Sequence, residues 1–295
     1  MEKKYRGVFA VPSTAFDAQG NLDEKAQRGL IRWLIDDCGV HGIIPCGSTG
    51  EFAFLSEAER KRVVAVTLDE VKKRVPVIAG AAACATREVI AYAQCYQEMG
   101  ADGVMVVPSY YGQLSQEPLY HHFSTIARHI DLPIVVYNNP GTSGSDILPA
   151  TVARLAELDH IAAIKESTGI MQRIVDIRLL AGDRLEILCG CDTLAMEMLA
   201  IGVEGWVAAP ANVAAGQCVE LYRLMIEQKD YAAAWKLYQR LRPLFDLFEG
   251  SGQYVQLAKA GLEMLGRPVG LPRPPLLPPS QEMQAQLKTL LEAIY

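Results

Sequence analysis

The chain has 295 residues, half of them hydrophobic and about a fifth charged, with a net charge of −6. That length accommodates one large α/β domain or two small ones, and an acidic balance without a basic block argues against nucleic acid or an anionic membrane surface as the main partner. No apolar run reaches the roughly 20 residues that span a bilayer, and the first five residues lead straight into a strand-like segment without a signal-peptide core, so a cytoplasmic protein is expected.

The first apolar run, 7–11, reads as a strand. It is followed by a helical pattern at 24–38, with Ala26, Leu30, Ile31, Leu34, Ile35 and Cys38 on one face and Gly39 as its stop. A second strand is predicted at 42–45. The helix after it opens on a capping box, Ser56 to Glu59, and runs to about residue 73. Strand 75–79 precedes a helix from Thr86 to Gly100, and strand 103–107 precedes one that follows Ser115 and ends before Pro133. Further strands are read at 133–137, 161–165, 185–189 and 205–208. After Asn212 the strand signal ends, and helical periodicity returns at 215–228, 231–248, 255–265 and 281–293. The proline-rich stretch 266–280 reads as an extended surface linker.

Eight strands separated mostly by helices imply a parallel sheet, and their nearly continuous apolar character fits a closed (β/α)8 TIM barrel over 1–212, with a C-terminal helical extension over 213–295 packed upon it. A doubly wound open sheet is the alternative. Against it, the first strand runs into Val11-Pro12-Ser13-Thr14-Ala15 and not into a G-x-G-x-x-G.

Seven cysteines, an odd number, lie at 38, 46, 84, 95, 189, 191 and 218, several in apolar contexts. Reduced, packed thiols are the simplest reading. Cys189-Gly190-Cys191 lacks the spacer and the second pair of a zinc site, and none of the five histidines belongs to an H-E-x-x-H. No metal is therefore expected, and His121-His122 is placed on a helix surface.

In a barrel of this kind the strand C-termini and the loops after them build the active site. The second strand is followed by Gly47-Ser48-Thr49-Gly50-Glu51, two glycines around two hydroxyls, a turn able to bind a carboxylate or to be no more than a tight turn. The fourth is followed by Pro108-Ser109-Tyr110-Tyr111, the fifth by Tyr137-Asn138-Asn139-Pro140, the seventh by Gly190-Cys191-Asp192-Thr193 and the eighth by Ala209-Pro210-Ala211-Asn212. The sixth ends on Lys165. There an amine can project into a pocket and attack a carbonyl, or it can extend to solvent. Tyr137 can move protons or simply fill the core. Taken together, a carboxylate nest, a phenol and a strand-end lysine suit imine chemistry on a 2-oxo acid.

These motifs (G-S-T-G-E, Y-Y, Y-N-x-P and I-K-E-x-T-G, in this order along nearly the whole chain) resemble those of the dihydrodipicolinate synthase / N-acetylneuraminate lyase family of Schiff-base barrels. The resemblance implies Lys165 as imine former and Tyr137 as proton relay. It implies Gly47, Ser48 and Thr49 around a pyruvate carboxylate, with Thr49 also in a hydroxyl relay with Tyr137 and with Tyr111 offered across a subunit contact. Val207 would present a backbone carbonyl. It further implies a homotetramer built from dimers, with no metal or organic cofactor, acting on pyruvate and either an aldehyde or a keto-deoxy acid.

One departure bears on the substrate. The synthase branch carries an arginine two residues after the Y-N-x-P proline; here that position is Thr142, which cannot form a bidentate charged pair. Asp192-Thr193 likewise replaces the acidic pair of the neuraminate lyase branch. A 4-hydroxy-tetrahydrodipicolinate synthase-like lyase is therefore expected alongside a 2-keto-3-deoxy sugar acid aldolase or dehydratase, with a non-catalytic keto-acid sensor and a metal-dependent aldolase as the remaining alternatives. No histidine at the eight strand ends supports the last.

Overall fold

The computed structural model describes residues 5–295. Eight parallel strands alternate with helices: β1 Gly7–Ala10, α1 Glu24–Arg32, β2 Gly42–Ile43, α2 Glu57–Val71, β3 Ile78–Gly80, α3 Thr86–Met99, β4 Gly103–Val106, α4 Gln116–Ala127, β5 Ile134–Asn138, α5 Pro140–Ser143, α6 Pro149–Leu155, β6 Ile161–Glu166, α7 Met171–Ala181, β7 Glu186–Cys189, α8 Ala195–Ala200 and β8 Gly205–Ala208. The hydrogen-bonded order β2-β1-β8-β7-β6-β5-β4-β3 is closed by a parallel bridge from Ile43 to Val77, with Ile43 donating to the Pro76 carbonyl at 3.0 Å and Gly80 to that of Pro45 at 2.9 Å. This is the (β/α)8 barrel that the alternation predicted.

The differences have local causes. β2 stops at Ile43 because Pro45 has no N–H and Cys46 takes a left-handed φ of 56°, turning the chain into the 47–51 loop. The third strand starts at Ile78, past Pro76. The first helix changes at Trp33 to a wider π turn through Asp37 before Gly39 reverses the chain at φ 73°. The capping box of α2 is present, Ser56 and Glu59 each bonding the other's backbone N–H. The crossovers α5 to α8 were not individually legible. Helices α5, α6 and α8 have one or two turns, too little length for a periodic pattern to stand out, and α7 blurs its pattern by exposing Val175, Leu179 and Leu180.

His122 corrects the surface reading of the His121-His122 pair. Only His121 faces solvent; His122 is buried, bonded through Nδ1 to the Thr86 hydroxyl at 2.9 Å, and burial pushes its pKa down to about 4. All seven thiols are free.

After β8 come α9 Ala211–Tyr222, α10 Tyr231–Ser251, α11 Tyr254–Met264 and α12 Gln281–Ile294. Helix α9 packs on β1 and so serves as the eighth barrel helix; it begins before the expected boundary at 212. The stretch 266–280 is tied down, not loose: Phe16 N–H donates to the Val269 carbonyl at 3.0 Å, and Val269 is buried. Among the described residues no helix is long and apolar enough to cross a membrane.

Candidate active site

Strands β5 and β6 run in register, pairing Tyr137 with Lys165 and Asn138 with Glu166. Successive strand residues point to opposite faces, so one pair enters the barrel mouth and the other faces the helices. The outer pair locks the strand ends: Asn138 Nδ2 donates to Glu166 Oε2 at 3.0 Å, Ile147 N–H to Asn138 Oδ1 at 3.0 Å and Thr168 N–H to Glu166 Oε1 at 2.8 Å. Both outer side chains are fully buried. They fix the backbone from which the inner pair projects.

The inner pair meets at the mouth. Lys165 Nζ lies 4.0 Å from the centroid of the Tyr137 ring, and both residues are more than nine-tenths buried. Burial acts to raise the Tyr137 pKa. The Lys165 ammonium and hydrogen bonds from Asn139, Lys165 and Ser167 outweigh it, leaving the phenol below its ordinary value. Asn139 Nδ2 donates to the phenol oxygen at 2.8 Å. Gly190 leaves room for the lysine stem: a Cβ there would stand 2.0 Å from Ser167 Oγ and 2.9 Å from Lys165 Cε.

A cavity of about 780 Å³ opens over this pair. Ser48, Thr49 and Val207 line it. Thr49 is buried and Ser48 exposed. Gly47 lies where a side chain would not fit, since its Cβ would approach Val11 Cγ1 to 2.5 Å. The 47–51 loop is held by the Thr14 hydroxyl donating to the Gly50 carbonyl at 2.6 Å and by Glu51 N–H donating to the Ser48 carbonyl at 3.0 Å. Tyr111 is not among the lining residues of this chain; it stands 86% exposed beyond β4. Thr142 does line the cavity.

The turn after β7 adds groups whose roles the sequence did not signal. Asp192 is buried, accepts from the Trp206 indole N–H at 2.8 Å, and has its pKa pushed up to about 8 by burial and then by the Glu249 carboxylate. Glu249, on α10, accepts from Thr193 N–H at 3.2 Å, from the Thr193 hydroxyl, and from Cys191 Sγ at 3.5 Å. Asn139 sat inside the quoted Y-N-x-P motif and Asp192 inside the strand-seven turn. Glu249 had no local signal, because only the docking of the extension brings it to the mouth. Among the described residues no group of three or more His, Cys, Asp or Glu side chains is placed to hold a metal ion.

Residues 4–294 match the dihydrodipicolinate synthetase family. The chain belongs to that family. It shares 39% identity over 292 residues, 98% of each chain, with the 4-hydroxy-tetrahydrodipicolinate synthase of Syntrophobacter fumaroxidans, and 41% over 276 residues, 93% of this chain and 92% of the other, with that of Nitrobacter hamburgensis. Among solved structures, the 4-hydroxy-tetrahydrodipicolinate synthase of Methylacidiphilum fumariolicum SolV superposes with a TM-score of 0.94 at 34% identity, covering 99% of this chain and 96% of that one. The chloride-inhibited dihydrodipicolinate synthase of Acinetobacter baumannii, complexed with pyruvate, superposes with a TM-score of 0.93 at 29% identity, covering 98% of each. The family resemblance read from the motifs is thereby established, and with it a lyase of the Schiff-base type on a TIM barrel.

Proposed function

We propose that Lys165 forms an imine with pyruvate and that the chain joins pyruvate to, or releases it from, a carbonyl partner. The observation that carries this reading is the buried strand-end amine against a buried phenol, at the floor of a cavity edged by a glycine-flanked pair of hydroxyls. The free amine attacks C2 of pyruvate and water leaves as the imine forms. Loss of a C3 proton gives the enamine, which attacks the partner aldehyde; cleavage is the reverse. Tyr137, hydrogen-bonded by Asn139, moves protons to and from the C2 oxygen, with Thr49 and a partner subunit's copy of Tyr111 completing the relay. Gly47, Ser48 and Thr49 receive the pyruvate carboxylate, and the Val207 carbonyl faces the reacting carbons. The covalent imine supplies the electron sink, so no cofactor enters. The exposure of Tyr111 supports its being offered across a subunit contact in a homotetramer, and the reaction belongs in the cytoplasm. We take 1–212 together with α9 as the catalytic barrel and the remainder of 213–295 as an extension that completes its mouth.

The test is reductive trapping. Incubation with pyruvate and borohydride, followed by peptide mapping, should place one adduct on Lys165, and Lys165→Ala should give none while remaining folded. An adduct on another lysine, or none in the parent chain, rejects the mechanism.

For the partner, the relatives' name points to aspartate semialdehyde. A 2-keto-3-deoxy sugar acid, cleaved or dehydrated, is the second reading, and a specific observation favours it: among the described residues Lys165 is the only Lys, Arg or His lining the cavity, Thr142 stands at the expected arginine position, and Glu249 and Asp192 line the same space.

A further inference from the structure

Glu51 ends the loop that edges the catalytic cavity, and its backbone is left-handed at φ 61°. Its carboxylate enters a buried charge cluster supplied by the C-terminal extension. Lys259 Nζ, on α11, lies 2.6 Å from Oε1, and Arg273 N–H, from the proline-rich stretch, donates to Oε2 at 2.8 Å. The Glu51 and Lys259 side chains are 0% and 2% exposed. Lys259 also donates to the Leu271 carbonyl at 2.9 Å, while the Arg273 guanidinium donates to the Phe54 carbonyl at 3.2 Å and pairs with Glu59 at 2.8 Å. Both cations lie 4.1 Å from the centroid of the Phe16 ring.

A buried ion pair is a poor way to gain stability. The cost of removing two charges from water roughly cancels their attraction, and well-packed apolar groups of the same volume often do as well or better. What such a pair does supply is one fixed geometry, because any other arrangement strands a charge in the interior. Here that geometry falls on a loop of two glycines and a left-handed glutamate, a backbone with many conformations open to it.

We propose that Glu51, Lys259 and Arg273 are positioning residues for the pyruvate carboxylate: the extension reaches back to the barrel and, through Glu51, holds the 47–51 loop so that Ser48 and Thr49 face the bound acid. The inference rests on the imine reading above. It assigns the extension a part in binding the first substrate, in addition to covering the barrel.

Trapping with borohydride at graded pyruvate concentrations tests it, because this reports pyruvate affinity without any second substrate. Glu51→Gln, Lys259→Met and the double variant Glu51→Gln/Lys259→Met are compared with the parent chain. Each single variant should raise the half-saturating pyruvate concentration about tenfold or more, as small misplacements of binding groups do, while the adduct at saturation still maps to Lys165. The double variant leaves no unpaired buried charge, so it should recover thermal stability relative to the singles and yet keep the weakened pyruvate affinity. A purely structural pair would recover both. If the singles do not fold, the double variant decides alone: half-saturation equal to the parent's overturns the proposal. Absence of an adduct in the parent chain at any pyruvate concentration would instead overturn the imine reading, and this inference with it.

Discussion

Tyr137 and Lys165 owe their meeting to one fact of strand geometry: they are register partners on adjacent parallel strands, so both must point the same way. Proximity then sets their chemistry. Desolvation would raise the phenol, but the ammonium beside the ring and hydrogen bonds from Asn139, Lys165 and Ser167 outweigh it, and the group becomes a readier proton donor than a free tyrosine. Tyr137→Phe keeps the ring and loses only the hydroxyl. It should lower turnover by about 10²–10⁴-fold with little change in the half-saturating pyruvate concentration, measured by steady-state kinetics and by trapping; near-normal turnover would reduce the phenol to packing. Gly190 makes a complementary point. Its missing Cβ is the space in which the Lys165 stem runs, so Gly190→Ala must displace either Ser167 or the lysine itself. Overpacking of this kind costs about 1–3 kcal/mol, visible as a lower thermal midpoint, and a displaced amine should trap pyruvate at least about tenfold more slowly.

The elements were legible to different depths, for physical reasons. The strands announced themselves because every residue of a parallel barrel strand is buried on one side or the other, leaving continuous apolar runs such as Val8-Phe9-Ala10 and Ile134-Val135-Val136. The first helix carried an apolar stripe, α2 its capping box, α3 its glycine stop and α4 its serine start. Helices α5, α6 and α8 are one or two turns long, and no periodicity develops over that length. At the site, Lys165, Tyr137, Thr49 and Ser48 could be read because each lies at or just after a strand end. Asp192 shows the limit. Its place after β7 was visible, but its partners come from elsewhere in the chain, the Trp206 indole from β8 and the Glu249 carboxylate from α10. Those surroundings have a thermodynamic consequence. The folded protein retains a proton on Asp192 up to about pH 8 that an ordinary aspartate releases near 3.8. The folded value is raised, so the stability this group contributes is complete below the unfolded value and is lost as pH rises through about 8. Asp192→Asn keeps an acceptor for the Trp206 indole but cannot ionise. The thermal midpoint of the variant should therefore fall less than that of the parent as pH is raised across this window; parallel curves would show that Asp192 ionises without cost in the folded state.

At the scale of the whole molecule, the extension and the barrel build one cavity, and the charges around that cavity decide what can share it with pyruvate. Among the described residues Lys165 is its only lining cation; in the mechanism proposed above imine formation occupies that amine, and the hydroxyl loop takes up the pyruvate carboxylate. The partner's end is left with Thr142, Thr193, Gln256 and the Glu249 carboxylate. A partner carboxylate would meet no countercharge there and would feel Glu249, whereas hydroxyl groups would find acceptors and donors. Losing a charge-assisted hydrogen bond to a bound carboxylate costs roughly 1.5–3 kcal/mol, about one to two powers of ten in specificity. Aspartate semialdehyde should thus be a weak partner, with kcat/KM below that for 2-keto-3-deoxy sugar acids measured by pyruvate release or consumption. Thr142→Arg should shift the ratio toward the semialdehyde by about tenfold, because it restores a planar cation that can grip a carboxylate with two hydrogen bonds. If the parent chain prefers aspartate semialdehyde at the rate of a dedicated biosynthetic enzyme, the charge argument fails, and the chain shares the activity for which its relatives are named, with another group, from this subunit or a neighbour, anchoring the second carboxylate.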